Sequence, residues 1–590
     1  MGERGFTGRG FAEGGPAEGG RIRRGPAESR LVEGGPAEGG FVEGRKHASE
    51  DLGRVLVLGL GKSGRAAIDY LLPLLGTRVR QLAVAAGASA AADGEARAFV
   101  ERLRAHGVRA EFDHERIEGA YDLCIASPGI PQTSAFYASA AAASAEVVSE
   151  VEFAWRESAE DARWVAITGT NGKTTTVALT AHLLRACGMA AKAVGNIGDT
   201  CIKAVAAGGV QVYVAEVSSY QLASTRLFAP DVAVVLNVTP DHLAWHGGFE
   251  AYAQAKLKVL ANLPQVPGSV AVLDATDDEV RKTVRALRAQ DAAERGFSYV
   301  PVGTAAGIAG DMRAACGSEN AAYLAPGGML VVALGGREHA LLPAADLRIK
   351  GEHNVANALA AAAAALAVGG APADVARALS TFQPLEHRLE PCGSVAGVEC
   401  YNDSKATNVD ATLKAFAAFG ETRPIVLLGG RDKGTDLAPL VQAAQDHAKA
   451  VVCFGEAGER FAEAFLGSAG LPAGGPADAA AACGTPSSPS KPSSRTEVRV
   501  LGLSGESGAP QAASLTGEDR RADECSALPV LRAEHLEDAL DAALSVAGAG
   551  DVVLLSPACA SFDEFSSFEE RGRAFKALVA ARAAAAGGRG

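Results

Sequence analysis

The stretch Ile167–Thr176, ITGTNGKTTT, decides how the rest of the chain is read. It follows the apolar run WVA, so a buried strand feeds a glycine turn and the residues after Lys173 open a helix. Backbone N–H groups of such a turn can surround a phosphate, and a helix N-terminus favours an anion. Lys173 would then reach the β- and γ-phosphates of a nucleotide, and Thr174 would sit on Mg²⁺. The spacing Gly169-x-x-Gly172-Lys173-Thr174 is tighter than the usual G-x-x-x-x-G-K-[ST]. A chance glycine turn before a lysine is the plain alternative; the strand before it, the helix after it and the paired threonines weigh against that.

The same pattern repeats along the chain. RVLVLGLGKSG, DLCIASPGIP, VYVAEVSS, VAVVLNVTPDH, SVAVLD, PIVLLGG, AVVCFG and DVVLLSPACAS are short apolar runs that end in Gly, Ser, Pro or Asp. Strands and helices alternating in this way predict an α/β protein with parallel sheets. Ligands of such sheets bind beyond the carboxyl ends of the strands, so chemistry is expected at those endings. At 590 residues the chain exceeds one hydrophobic core and length allows two to four domains; with the strand pattern, a parallel-sheet architecture in three domains is expected.

Composition narrows the function classes. A formal net charge of −13 argues against a nucleic-acid-binding protein, although an acidic protein can hold phosphate in a local pocket. The alanine-rich stretch 357–367 is too short and its side chains too small for a bilayer span. No apolar segment follows a basic start in the first thirty residues, which predicts a cytoplasmic rather than a secreted protein. The ten cysteines include no C-x-x-C pair and are read as reduced, buried residues. EGGPAEGG occurs at Glu13–Gly20 and again at Glu33–Gly40, so residues 1–50 are expected to form a disordered tail. A second low-complexity region, 470–527, reads as a surface insertion into a well-patterned domain.

Other strand ends offer further candidates. Glu216 ends VYVAEVSS and His242 lies in NVTPDHL. Alone, each is more often a capped carboxylate or a hydrogen-bonded imidazole; together, downstream of a phosphate loop, they suit Mg²⁺. In NDSKATN, residues 402–408, an extended segment would point Asp403, Lys405 and Thr407 to one side. Lys433 follows a strand and a glycine pair in GGRDKGTD. The segment 554–575 places small hydroxyl residues between a strand and a helix. Two lysines with hydroxyls suit a small dicarboxylate. Gly59-x-Gly61-x-x-Gly64 is formally a dinucleotide fingerprint, but the second strand region, TRVRQLAVAAG, supplies no acidic residue for a ribose. That turn can equally hold the diphosphate of a nucleotide sugar. A dehydrogenase or nucleotide-binding regulator built on this first domain is the alternative of a different class.

In this order the motifs resemble those of the Mur ligases of peptidoglycan synthesis. TGTNGKTT, GNIG (195–198), EVSS (216–219), NVTPDHL and GEHNVANALAA (351–361) belong to the wider superfamily, which includes folylpolyglutamate synthase. HRLE (387–390), NDSKATN, GGRDKGTD and SPACASFDEFSSFEERGRAF (556–575), with SPGIP (127–131), resemble the members that add D-glutamate. Another amide ligase of the superfamily is the nearest rival, but a diamino-acid adder is expected to carry a D-x-P-R-type loop, which the chain lacks.

The resemblance implies a Rossmann-like precursor-binding domain (51–155), a P-loop-type central ATPase domain (156–384) and a Rossmann-like amino-acid-binding domain (385–590). It implies a monomer that uses ATP, Mg²⁺, UDP-N-acetylmuramoyl-L-alanine and D-glutamate and works through an acyl-phosphate. By position, Gly169, Thr170, Asn171, Gly172, Lys173, Thr174, Thr175, Asn354, Asn357, Arg388 and Asp403 match nucleotide-binding residues. Thr174, Glu216, His242 and Lys256 match the metal site, Lys256 as a lysine carbamylated by CO₂; without the resemblance it reads as a helix-surface lysine. Asn196 and Ser218 match precursor contacts beside the reacting carboxylate, joined by Lys62, Ser63 and Gly64 in the glycine turn. Lys405, Thr407, Lys433, Ser561 and Phe568 match positions around D-glutamate.

Overall fold

The structure, a computed structural model, describes residues 49–87, 94–112, 116–304, 318–431, 434–467 and 528–587. The N-terminal repeats, the whole of the 470–527 insertion and Lys433 lie outside the described residues.

Three sheets carry the described chain. The first contains β1 (Gly53–Leu58), β2 (Val79–Ala86), β3 (Arg109–Phe112), β4 (Leu123–Ala126) and β5 (Val147–Ser149), all parallel in the order β3-β2-β1-β4-β5. The strand order reverses between β1 and β4, the usual place for a ligand in such a sheet. The second contains β6 (Arg163–Thr168), β7 (Ala191–Gly195), β8 (Val212–Glu216), β9 (Val232–Val235), β10 (Val270–Asp274), β11 (Ser298–Gly303), β12 (Ala321–Ala325), β13 (Met329–Leu334) and β14 (Arg337–Pro343). Its order is β14-β13-β12-β11-β10-β9-β6-β8-β7, parallel as far as β12, with β13 and β14 added antiparallel. The third contains β15 (Glu390–Val395), β16 (Val398–Asn402), β17 (Ile425–Gly429), β18 (Ala450–Phe454), β19 (Val530–Arg532) and β20 (Val552–Ala558), ordered β15-β16-β20-β17-β18-β19. Here only β15 runs antiparallel to its neighbour.

The apolar runs become strands because helices cover both sheet faces. In β6 every residue after Arg163 is buried, and β17 and β18 are buried throughout. The alanine stretch forms the middle of the helix Glu352–Ala367, where 358–365 are at most 1% exposed. Small side chains there let it lie against the helix Lys173–Ala186, and alanine has the highest helix propensity. Among the described residues no helix is long and apolar enough to cross a membrane, and none of the seven described cysteines is in a disulfide.

Between the first and second sheets runs the helix Glu150–Glu157, capped by Ser149, whose hydroxyl accepts from Glu152 N at 3.3 Å. Its first residue, Glu150, is 1% exposed; Oε1 accepts from Ile202 N at 2.6 Å and Oε2 has no hydrogen-bond partner. Burial pushes this carboxyl up to about 7, although the backbone bonds from Ile202 and Cys201 and the charge of Lys62 pull the other way. A raised folded-state value means that the folded protein holds this proton more tightly than the unfolded chain. Its stabilising contribution is therefore lost as pH rises from the ordinary value of 4.5 through about 7. Glu150→Gln keeps an oxygen acceptor without the charge. It is expected to be more stable than the parent at pH 8, by up to about 3 kcal/mol, with the difference vanishing near pH 4.5. Denaturant melts at the two pH values check this; a gain equal at both would rule out ionisation as the cause.

Candidate active site

The loop after β6 is shaped by two glycines and held by side chains distant in sequence. Gly172 has φ +84°, and a Cβ there would lie 2.5 Å from Asn357 Oδ1, so both backbone strain and contact require glycine. Asn237, after β9, grips the loop: its Oδ1 accepts from Asn171 N at 2.8 Å and its Nδ2 donates to Asn171 O at 3.0 Å. The Thr170 hydroxyl donates to Thr239 O at 3.0 Å and lies 2.8 Å from the Tyr252 hydroxyl. Asn357 accepts from Thr176 at 3.2 Å and donates to Asn354 at 3.1 Å, which in turn donates to Lys350 O at 2.7 Å. The N-terminus of the helix Lys173–Ala186 thus opens into a cavity of about 640 Å³.

Two amines, one half-buried and one buried, meet at this loop. Lys173 Nζ donates to Gly169 O and Thr170 O, each at 2.8 Å, and Lys256 Nζ donates to the same Gly169 O at 2.7 Å. Lys256 is 2% exposed and sits 4.6 Å from the centre of the Tyr252 ring. Burial holds Lys173 below the usual lysine range, opposed by Glu216; it holds Lys256 well below, with the charge of Lys173 acting in the same direction. Glu216 ends β8 and is 3% exposed. Its Oε1 accepts from Asn196 Nδ2 at 3.0 Å, while Oε2 is buried with no hydrogen-bond partner. A buried carboxylate oxygen left unpaired is costly and suits a cation. His242 stands in the left-handed region, φ 54°, with its ring 4.9 Å from that of Tyr220 and Nε2 3.5 Å from Asp241 Oδ2. Thr174, Glu216 and His242 line the one cavity. No group of three or more His, Cys, Asp or Glu side chains is placed to hold a metal among the described residues. Such a donor set fits Mg²⁺, which takes few protein ligands and completes its shell with phosphate oxygens and water.

The third sheet closes the same cavity. Arg388, Asp403, Lys405 and Thr407 line it, and Asn171 donates across to Asp410, at the start of the helix Val409–Ala418. The extended reading of NDSKATN does not hold. β16 ends at Asn402, Asn402 Oδ1 accepts from Ser404 N at 3.2 Å, and Ala406 N donates to Asp403 O at 2.9 Å, which bends the segment into a turn. The turn still brings Asp403, Lys405 and Thr407 to the cavity. Asp403 accepts from Ser556 Oγ at 2.9 Å and from Leu389 N at 3.3 Å; burial pushes its carboxyl up to about 7 against those bonds and Arg388. Lys405 Nζ is 3.8 Å from the centre of the Phe568 ring, and burial lowers its value to about 8. Phe568 and the buried Ser561 stand outside the cavity lining.

A second cavity, of about 600 Å³, opens at the β1/β4 switch of the first sheet. Gly59, Gly61, Lys62, Ser63, Ser127, Asn196 and Thr200 are among its walls. Gly64 lies against Gly59 O, where a Cβ would overlap the carbonyl, so the third glycine of the fingerprint allows close helix–strand packing. Lys62 donates to Gly198 O, tying this turn to the loop after β7. Asn196 lines both cavities. Ser218 lines neither: it caps the helix Ser219–Ala223, accepting from Gln221 N at 3.3 Å and donating to Gln221 Oε1 at 2.9 Å.

Sequence reasoning missed Asn237, Thr239 and Tyr252, which shape the phosphate loop, the first two from the wall of the cavity itself. Asn237 and Thr239 stand in the quoted NVTPDHL, so the motif held the signal, but their partner lies nearly seventy residues upstream.

Comparison with known proteins agrees with this geometry. The Mur ligase middle domain matches residues 167–365 and the Mur ligase glutamate ligase domain matches 387–483. A UDP-N-acetylmuramoylalanine–D-glutamate ligase from Koribacter versatilis is 34% identical over 530 residues, 89% of this chain and 97% of that protein. Its namesake from Salinibacter ruber is 37% identical over 538 residues, with the same coverage of each. With relatives this similar along nearly their whole length, and with the loops those two domains carry meeting around one cavity, the chain belongs to the Mur ligase family, in its UDP-N-acetylmuramoylalanine–D-glutamate ligase branch.

Proposed function

We propose that the chain is an ATP-dependent ligase of peptidoglycan synthesis that joins D-glutamate to UDP-N-acetylmuramoyl-L-alanine. The observation that carries the mechanism is the position of Asn196, on the wall of both cavities and hydrogen-bonded to Glu216. A precursor whose diphosphate lies on the glycine turn of the first sheet would present its alanyl carboxylate there, facing the nucleotide loop. A carboxylate oxygen attacks the γ-phosphorus, the bond to the β-phosphate oxygen breaks and ADP leaves, giving an acyl-phosphate. The amine of D-glutamate then attacks the acyl carbon, a tetrahedral intermediate forms, phosphate departs and the amine gives up a proton.

Lys173 and the amides of 169–175 hold the phosphates, and Asn354, Asn357, Arg388 and Asp403 complete the nucleotide site. Thr174, Glu216 and His242 would hold Mg²⁺, which supplies charge neutralisation on the phosphoryl oxygens. Lys256 is the candidate for carbamylation: a neutral amine adds CO₂ and releases a proton, turning a cation into an anionic oxygen donor. Burial, which favours its neutral form, supports that role. Asn196 orients the reacting carboxylate, with Ser218 shaping the loop beside it and Lys62, Ser63 and Gly64 beneath the diphosphate. Lys405, Thr407, Lys433, Ser561 and Phe568 receive D-glutamate. Residues 51–155, 156–384 and 385–590 act as precursor, ATPase and amino-acid domains. One chain lines both cavities, so a monomer suffices, and the nucleotide substrates place the reaction in the cytoplasm.

Phosphate release with ATP and UDP-N-acetylmuramoyl-L-alanine tests the reading. It is expected with D-glutamate and absent with L-glutamate, L-alanine or diaminopimelate. Release that ignores the acceptor, or follows another one, would overturn it.

A further inference from the structure

The largest buried charged side chain of the third sheet has no role in the mechanism above. Arg571, in the helix Phe568–Gly587, is 1% exposed. All four of its hydrogen bonds end on neutral oxygens. Nε donates to Ser404 Oγ at 2.9 Å, Nη2 to Ser404 O at 2.9 Å and Cys559 O at 3.1 Å, and Nη1 to Ala560 O at 3.3 Å. A third loop meets the same group: a Cβ at Gly430 would lie 2.9 Å from Nη1. The guanidinium therefore joins the loops that leave three adjacent strands, β16, β20 and β17. Ser404 stands between Asp403 and Lys405, Ala560 precedes Ser561, and Ser404 Oγ also donates to Phe568 O at 2.8 Å. Burial pulls the guanidinium down to about 10, which leaves it charged at neutral pH.

Burying a cation without a contacting carboxylate is expensive, and five donors in a rigid fork suit the joining of separate carbonyls better than an ammonium does. Asp563 and Glu564 act on Arg571 only through their charge, and both have backbone N–H groups of other loops as partners. We propose that Arg571 is a positioning residue for the acceptor amino acid, setting the three loops in register and adding positive potential that favours an acceptor bearing two carboxylates. This rests on the D-glutamate reading given above. It extends that reading by assigning acceptor affinity to a residue that touches no substrate.

Steady-state kinetics of the full chain with Arg571→Lys and Arg571→Met test it. Arg571→Met is expected to raise KM for D-glutamate at least tenfold while KM for ATP and for the precursor stays within twofold. Arg571→Lys, which keeps the charge but loses the fork, is expected to fall between parent and Arg571→Met. It also supplies the measurement if the methionine variant does not fold. Competitive inhibition by D-norvaline, an acceptor analogue with one carboxylate, should weaken less than D-glutamate binding does in the same variants. KM for D-glutamate within twofold of the parent in Arg571→Lys and in any folded Arg571→Met overturns the proposal, as does an equal rise in all three KM values. A parent without D-glutamate-dependent phosphate release would instead overturn the functional reading beneath it.

Discussion

Replacement of Lys173 by alanine is expected to lower ATP-dependent ligation by about 10²–10³-fold, the scale set by removing one preorganised group that stabilises transferring charge. In the free protein this amine is satisfied by Gly169 O and Thr170 O; its loss takes that donor from Thr170 O, leaves Gly169 O with Lys256, and breaks no ion pair. The fold should therefore survive, and a melting temperature near that of the parent is part of the expectation. The kinetic signature separates two roles. If the ammonium acts on the γ-phosphoryl group as charge redistributes, kcat and kcat/KM fall together. If it only helps to bind the nucleotide, KM for ATP rises while kcat is kept. Turnover near that of the parent would remove the phosphate-loop assignment and with it the acyl-phosphate.

The second large effect is expected at Lys256. Lys256→Ala should lose about 10²-fold in kcat, because the site would lack the anionic donor that a carbamate provides. Lys256→Arg is the sharper variant: it keeps a cation beside Gly169 but cannot take up CO₂. In buffer freed of CO₂ the parent is expected to lose activity and to regain it on addition of bicarbonate. Both variants should be indifferent to bicarbonate. The direction of the pH effect follows from the chemistry, since only the neutral amine adds CO₂; carbamate formation falls as pH is lowered and the amine is protonated. A fully exchanged parent that ignores bicarbonate would return Lys256 to the role of a buried cation packed on Tyr252.

The elements that place this chemistry were legible for a physical reason. Parallel strands covered on both faces must be continuous apolar runs, and their ends must turn, so each run with its terminal Gly, Ser, Pro or Asp marked a strand, and the ends of β1, β4, β6, β8, β9 and β10 reach the wall of one of the two cavities. The two antiparallel strands at the end of the second sheet were not legible in this way. β13 and β14 are joined through Gly335 and Gly336, both at positive φ, yet MLVVAL and REHALLP do not end in a loop that carries chemistry and went unread. The turn at 403–407 was misjudged because alternation predicts direction only while a strand continues, and Asn402 ends this one with its own side chain. Asn237, Tyr252 and Arg571 escaped notice because each acts on a segment far away in sequence, which local pattern does not encode. The carbamylation of Lys256 came only by resemblance; what the structure adds is an amine that burial favours in its neutral form.

The shared wall at Asn196 has a consequence for inhibitor design. A compound that mimics a nucleotide at one end and a sugar diphosphate at the other would have its two halves on either side of one threshold, Asn196, which lines both cavities and donates to Glu216. A linker bearing a tetrahedral anion should gain at that threshold the affinity that neither half obtains alone, as an intramolecular second binding event does.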